Sequence, residues 1–212
     1  MRKYITEFIG TFFLVLIILV SGNPLAIGSI LMVMVFAGGH VSGAHYNPAV
    51  TLAIWLRGKI TLNEAIPYMI SQIVGGILAA LVGVWLTGIE MDGKTMDLGN
   101  TTLKALAAEI AGTFALAYVV LNVATTKGTT GNSFYGLAIG FTVFACATGL
   151  GPISGGAFNP AVAIALSVVE AFAWENIWIY LVGCFGGATI AAMVFNFINV
   201  EDKPVPPLPK TT

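Results

Sequence analysis

One pattern occurs twice in this chain, and it restricts the possible folds more than any other feature. Glu7-Phe8-Ile9-Gly10-Thr11-Phe12-Phe13-Leu14 is echoed by Glu109-Ile110-Ala111-Gly112-Thr113-Phe114-Ala115-Leu116, an offset of 102 residues (109 less 7). Ser42-Gly43-Ala44-His45-Tyr46-Asn47-Pro48-Ala49-Val50 is echoed by Ser154-Gly155-Gly156-Ala157-Phe158-Asn159-Pro160-Ala161-Val162, an offset of 112 (154 less 42). The second half therefore has ten more residues between the two marks (112 less 102). The polar stretch 125–133, set against the four-residue first connection Ser21-Gly22-Asn23-Pro24, is the natural place for part of them. The chain reads as one domain over 1–212, built of a first repeat, 1–99, a second, 100–200, and an irregular tail, 201–212, with four prolines.

A bilayer core takes about 20 apolar residues of helix. Six segments qualify or come close: 4–20, 25–41, 62–86, 103–123, 134–150 and 176–198. Only 9% of the residues are charged, against about 25% in a soluble domain, so lipid is the expected solvent. Met1-Arg2-Lys3 before an apolar run looks like a secretory signal, but Glu7 interrupts the run and no A-x-A-like site follows Val20. The run is read as the first span. Pro67 falls in the first turns of the third, where a missing N–H does least harm.

Each half then has three spans, an odd number, so the halves lie in the membrane with opposite orientation. Inverted repeats of this kind place their site near the midplane, at the repeat interface. Two further apolar stretches, 47–56 and 159–169, are about 15 Å long as helices, half a bilayer, and read as re-entrant half-helices. Each follows a stretch rich in Gly, Ser and Ala, 38–45 and 149–157. Irregular backbone at that depth must be buried in protein or line water. The fold class is thus an all-α membrane protein of six spans and two half-helices.

With Met1 in the cytoplasm, seven of the nine Lys and Arg face inward, namely Arg2, Lys3, Arg57, Lys59, Lys127, Lys203 and Lys210, while Lys94 and Lys104 face out. That satisfies the positive-inside rule and puts both termini in the cytoplasm of a cell that carries the protein in its plasma or inner membrane. Glu90, Asp92 and Asp97 then lie in an outer loop. A net charge of −1 argues against a nucleic-acid partner. The two cysteines, Cys146 and Cys184, stand in apolar stretches and suggest neither a disulfide framework nor a metal cluster.

Each half-helix opens with Asn-Pro-Ala: Asn47-Pro48-Ala49 and Asn159-Pro160-Ala161. Proline suits the first helical position, where its missing N–H is an orphan in any residue. Asparagine suits the cap, and its amide has donors for the oxygen of a passing molecule. Half-helices entering from opposite faces meet N-terminus to N-terminus, each end carrying roughly half a positive charge, which repels cations and protons.

The paired Asn-Pro-Ala motifs, the Ser-Gly-Ala-His-Tyr-Asn-Pro-Ala-Val run and the repeated Glu helix resemble the aquaporin (major intrinsic protein) family, over residues 4 to about 199. The resemblance implies a right-handed bundle, a homotetramer, one pore per protomer, and passive transport of water or small uncharged solutes with no cofactor. It also implies that Glu7 and Glu109 hold the re-entrant loops by accepting backbone N–H bonds, with loop carbonyls facing the pore. A lone carboxylate near the bilayer centre costs about 2.5–3.5 kcal/mol, so both need partners. A proton relay is the rival role.

Family members place a narrow filter outside the central motifs. By spacing from the two asparagines its positions carry over to Ile27, Ala147, Gly156 and Val162, the last where nearly all members have arginine. The filter expected here is wide and apolar, open to glycerol, ammonia, urea, undissociated acids or dissolved gases, with weaker cation exclusion. The surroundings of Gly151-Pro152 resemble the glycerol-conducting branch. His45 is placed at the loop or the cytoplasmic pore mouth and His40 near the end of the second span; two histidines are too few for a metal site. Gly75, Gly76, Gly83, Gly183 and Gly187 read as close helix packing. A non-conducting scaffold tetramer and a leaky cation pore remain alternatives. An enzyme or an active transporter is disfavoured, because the spans hold no Ser-His, HExxH or paired-Asp arrangement and the chain has no nucleotide-binding motif.

Overall fold

The structure, a computed structural model, describes residues 1–88 and 101–200. Among them are nine α-helices: α1 (Arg2–Ser21), α2 (Pro24–Ser42), α3 (Pro48–Leu56), α4 (Leu62–Thr87), α5 (Thr102–Thr125), α6 (Tyr135–Gly149), α7 (Gly151–Ser154), α8 (Pro160–Val168) and α9 (Ile177–Ile198). The acidic residues expected in an outer loop, Lys94 and the tail at 201–212 lie outside the described residues.

Local chemistry sets the helix ends. Gly22 leaves α1 in the left-handed conformation, φ 60°. Asn23 then caps α2 by accepting from Leu25 N at 2.9 Å and Ala26 N at 3.2 Å, with Pro24 at the first helical position. Two residues thus reverse the chain between two spans. Pro67 lies in the second turn of α4, within the first turns as expected, and the helix continues through it. Its missing N–H leaves the Asn63 carbonyl without its helical donor.

Five described helices are long and apolar enough to cross a membrane. The sixth expected span, α6, has 15 residues and falls short of that length. Pro152 explains the shortfall: it has no N–H for the Thr148 carbonyl, and its ring crowds that turn. The chain bends at Leu150 and resumes for one turn as α7, which ends at Gly155 with φ 91°. In α6 plus α7 the second half thus has a broken counterpart of α2, which ends at Gly43 with φ 87°.

The helices are inside-out relative to a soluble bundle. On α4, Ile66, Ile70, Val74 and Leu78 recur every fourth residue and are exposed, while Gln72, Gly75, Gly76, Ala79, Ala80 and Gly83 are buried. Large apolar groups face outward to lipid, and small residues let backbones approach. α1 packs on α4 and α5 on α9, one pair in each half. The halves also interlock, α3 against α9 and α8 against α4. α2 and α6 cross between the halves at Gly28 and Gly140, which are 112 residues apart (140 less 28). A Cβ on Gly28 would lie 2.6 Å from Gly140 O, and one on Gly140 would lie 2.5 Å from Gly28 O. On α9, a Cβ at Gly183 would stand 2.6 Å from the Glu109 Cβ.

At the end of α3, Arg57 is 2% exposed and its guanidinium lies over the Phe195 ring at 5.0 Å. The C-terminal end of α3 and the ring face both favour a cation there.

Candidate functional site: a two-chambered pore

Two irregular loops, each fastened to a buried carboxylate, make the centre of the bundle. Glu7 on α1 is fully buried. It accepts from Ser42 Oγ at 2.6 Å, His45 N at 3.0 Å, Tyr46 N at 2.7 Å and Gln72 Nε2 at 2.8 Å. Glu109 on α5 repeats the arrangement, accepting from Ser154 Oγ at 2.7 Å, Ala157 N at 3.0 Å, Phe158 N at 2.7 Å and Cys184 Sγ at 3.5 Å. Four donors around each carboxylate answer the cost of a buried acid. The Tyr68 hydroxyl donates to Ser42 O at 2.9 Å, and the Tyr180 hydroxyl to Ser154 O at 2.7 Å. These tyrosines, with Ser42, Ser154 and Gln72, were missed in the sequence reading, although the offset of 112 pairs Tyr68 with Tyr180.

The loops hold their shape by residues at positive φ. Ala44 and Tyr46 lie at 51°, and their counterparts Gly156 and Phe158 at 67° and 46°. Such conformations in non-glycine residues cost about 1–3 kcal/mol each and persist where surroundings over-determine them. Here the carboxylate bonds do so, and the aromatic rings add packing. The Tyr46 ring sits against Gly10 and Gly38, and the Phe158 ring against Gly112, where any Cβ would collide with them.

Asn47 and Asn159 stand at the two N-termini where the half-helices meet. Each Oδ1 caps its own helix, accepting from Ala49 N at 2.8 Å and from Ala161 N at 2.9 Å. Each Nδ2 donates across to the other loop, Asn47 to Phe158 O at 2.8 Å and Asn159 to Tyr46 O at 2.9 Å. One of the two amide N–H groups on each side is therefore committed to the structure, and one is left for the pore.

Two cavities open along this axis. The first, about 490 Å³, has both asparagines in its wall together with Gly22 and Pro24 at one end. All four positions carried over as a filter, Ile27, Ala147, Gly156 and Val162, line this same chamber. Gly156 could not carry a side chain easily, because a Cβ would lie 3.0 Å from Gly151 Cα at a φ of 67°. The second chamber, about 750 Å³, has a mixed wall in which Lys3, His40, Lys59, Thr126, Thr129 and Asn132 are among the polar groups. His45 lies deeper than a pore mouth: with Val120 it lines both chambers. Among the described residues no cluster of His, Cys, Asp or Glu could hold a metal ion.

Comparison with known proteins agrees with this architecture. The family described as Major intrinsic protein matches residues 1–195. Aquaporin NIP1-2 of Arabidopsis thaliana is 32% identical over 234 residues, spanning 100% of this chain and 79% of that protein. Nodulin-26 of Glycine max is 33% identical over 221 residues, with 97% and 80% covered. Aquaporin TIP1-2 of Zea mays is 36% identical over 184 residues, with 85% and 72% covered. The X-ray structure of the aquaglyceroporin from Plasmodium falciparum superposes with a TM-score of 0.77 at 18% identity, covering 95% of this chain and 98% of that one. Repeat, half-helices, paired asparagines and these likenesses converge, and the chain belongs to the major intrinsic protein family, as an integral membrane protein of the aquaporin fold.

Proposed function

We propose that the protein is a passive channel, and not an enzyme, with one pore in each protomer of a homotetramer, admitting water and small uncharged solutes such as glycerol, urea or ammonia. The observation that carries this reading is a chamber with Asn47 and Asn159 in its wall, at the facing N-termini of α3 and α8, that meets a second chamber at His45 and Val120. A solute oxygen passing there meets an amide N–H on each side, and a cation meets two positive helix ends. Membership of the family supports passive conduction of water and small solutes. Ile27, Ala147, Gly156 and Val162 leave the outer chamber without a charged side chain, so solutes larger than water are admitted and cation exclusion falls to the helix ends.

Orientation follows from charge. Arg2, Lys3, Arg57, Lys59 and Lys127 fall on one side by the order of the spans, and Lys3 and Lys59 line the same chamber. That chamber is the cytoplasmic vestibule, both termini lie on its side, and the membrane is the cell's plasma or inner membrane. The whole chain acts as one channel domain of two repeats.

The test is stopped-flow light scattering of proteoliposomes, first with an impermeant osmolyte and then with glycerol. Fast shrinkage and fast glycerol re-swelling are expected. Rates equal to those of empty vesicles in both phases would refute the channel and favour a scaffold. Current measured alongside separates a neutral pore, which is silent, from a leaky cation pore.

A further inference from the structure

The internal repeat shows where the two halves differ in chemistry. At an offset of 112, the shells around the buried carboxylates match: Ser42 and Ser154, Tyr68 and Tyr180, each in the same bond. Three positions break the match together. His45, Thr51 and Gln72 stand where the second half has Ala157, Ala163 and Cys184. In the first half these three are bonded to one another. Gln72 Nε2 donates to Glu7 at 2.8 Å and to Thr51 Oγ at 2.9 Å. Thr51 Oγ lies 3.0 Å from Asn47 O and 3.1 Å from His45 Nδ1. A carboxylate only accepts, so Gln72 must present its NH₂ to Glu7. With the Thr51 hydroxyl donating to Asn47 O, the tautomer assigned to His45 is the one whose Nδ1–H donates to Thr51. Nε2 of the neutral ring is then the bare acceptor.

His45 and Val120 line both chambers, whereas the four outer positions all stand on the wall of one. We propose that this channel selects its solutes at the inner neck between His45 and Val120 rather than at the outer apolar positions, with His45 as the specificity-determining residue. Thr51 and Gln72 act as positioning residues: they hold the ring across the passage and fix the nitrogen it presents. The solute class that fits is small, neutral and able to donate an O–H or N–H to Nε2 while accepting from the amides of Asn47 and Asn159. Water, short polyols and urea meet both conditions. This inference rests on the pore reading above.

The test is stopped-flow permeability of proteoliposomes to water, urea, glycerol and erythritol. His45→Ala widens the neck and is expected to raise erythritol permeability about tenfold relative to water, the scale at which one methylene's worth of room discriminates. Val120→Ala widens the same place from the other wall and gives the same direction, which keeps the test open if His45→Ala does not fold. Thr51→Val frees the ring without removing it, and is expected to blur the ranking of urea against glycerol, a readout that a purely structural role would not move. Val162→Ala and Ile27→Ala are expected to shift the ranking less than His45→Ala does. A ranking that follows Ile27 or Val162 and ignores His45 and Val120 would overturn the neck while leaving the pore intact. A wild type no faster than empty vesicles for every solute would refute the pore and the neck together.

Discussion

Removing the Glu7 carboxylate should release the first re-entrant loop. Glu7→Ala strands two backbone donors, His45 N and Tyr46 N, which the structure holds at 3.0 and 2.7 Å. Ser42 Oγ still accepts from Ala44 N but its own proton loses its acceptor, while Gln72 Nε2 keeps one of its two bonds, to Thr51. A buried donor left unsatisfied costs about 1–3 kcal/mol, so two cost about 2–6 kcal/mol. The positive φ of Ala44 and Tyr46 is then no longer over-determined, and its strain adds to the loss. Glu7→Gln keeps one carbonyl acceptor and turns an NH₂ toward the other donors, for about half that cost. For a chain of this size 1 kcal/mol is about 2–4 °C in Tm. The alanine variant should therefore lose about 4 °C or more, and the glutamine variant less. Thermal unfolding in detergent measures both, and water permeability of reconstituted vesicles should fall in the same order. An alanine variant with the wild-type Tm and permeability would refute the account of how the loop is held.

Other expectations follow from single contacts. Gly28→Leu drives a side chain into Gly140 O and the Phe144 Cβ, 2.6 and 2.8 Å from the first added atom, and overpacking of this kind costs about 1–3 kcal/mol or more; unfolding in detergent should show a lower Tm, and an unchanged one would contradict the crossing. Val162→Arg puts a long cation into the outer chamber and should slow glycerol more than water in stopped flow; unchanged rates for both would argue against a solute path along that wall. Cys184 is fully buried and Cys146 half-buried, both as free thiols, so a membrane-permeant maleimide should label the folded channel once per chain, at Cys146, with mass spectrometry reading the site. Labelling of Cys184 before unfolding would show the Glu109 shell to be open.

Much of this architecture was readable before any coordinate. The half-helices declared themselves through length and the Asn-Pro-Ala cap, because a nine-residue apolar helix cannot cross a bilayer and proline after asparagine starts a helix. That Glu7 and Glu109 need partners followed from the expense of a lone acid in lipid, and their role in holding the loops from the resemblance to the family. Other features depended on distance, which spacing does not encode. Counting from Asn47 and Asn159 located Ile27, Ala147, Gly156 and Val162, yet only the cavity walls show that they share one chamber and that His45 and Val120 divide it from the next. The crossing at Gly28 and Gly140 was hidden because each glycine alone is unremarked in an apolar helix; the offset of 112 pairs them once the halves are aligned. The expected second donor on each asparagine was halved by a bond across the repeat interface, between residues 111 apart for Asn47 and 113 apart for Asn159. The break at Leu150 is the effect of Pro152 on an otherwise continuous apolar run.

The central claim, a water-filled passage through each protomer, is tested most directly by the temperature dependence of water permeability in proteoliposomes. Crossing lipid requires a water molecule to shed its hydrogen bonds, whereas a pore lined by the Asn47 and Asn159 amides replaces some of them along the way. The account predicts an Arrhenius slope well below that of protein-free vesicles of the same lipid. A slope equal to that of the bare bilayer would contradict it.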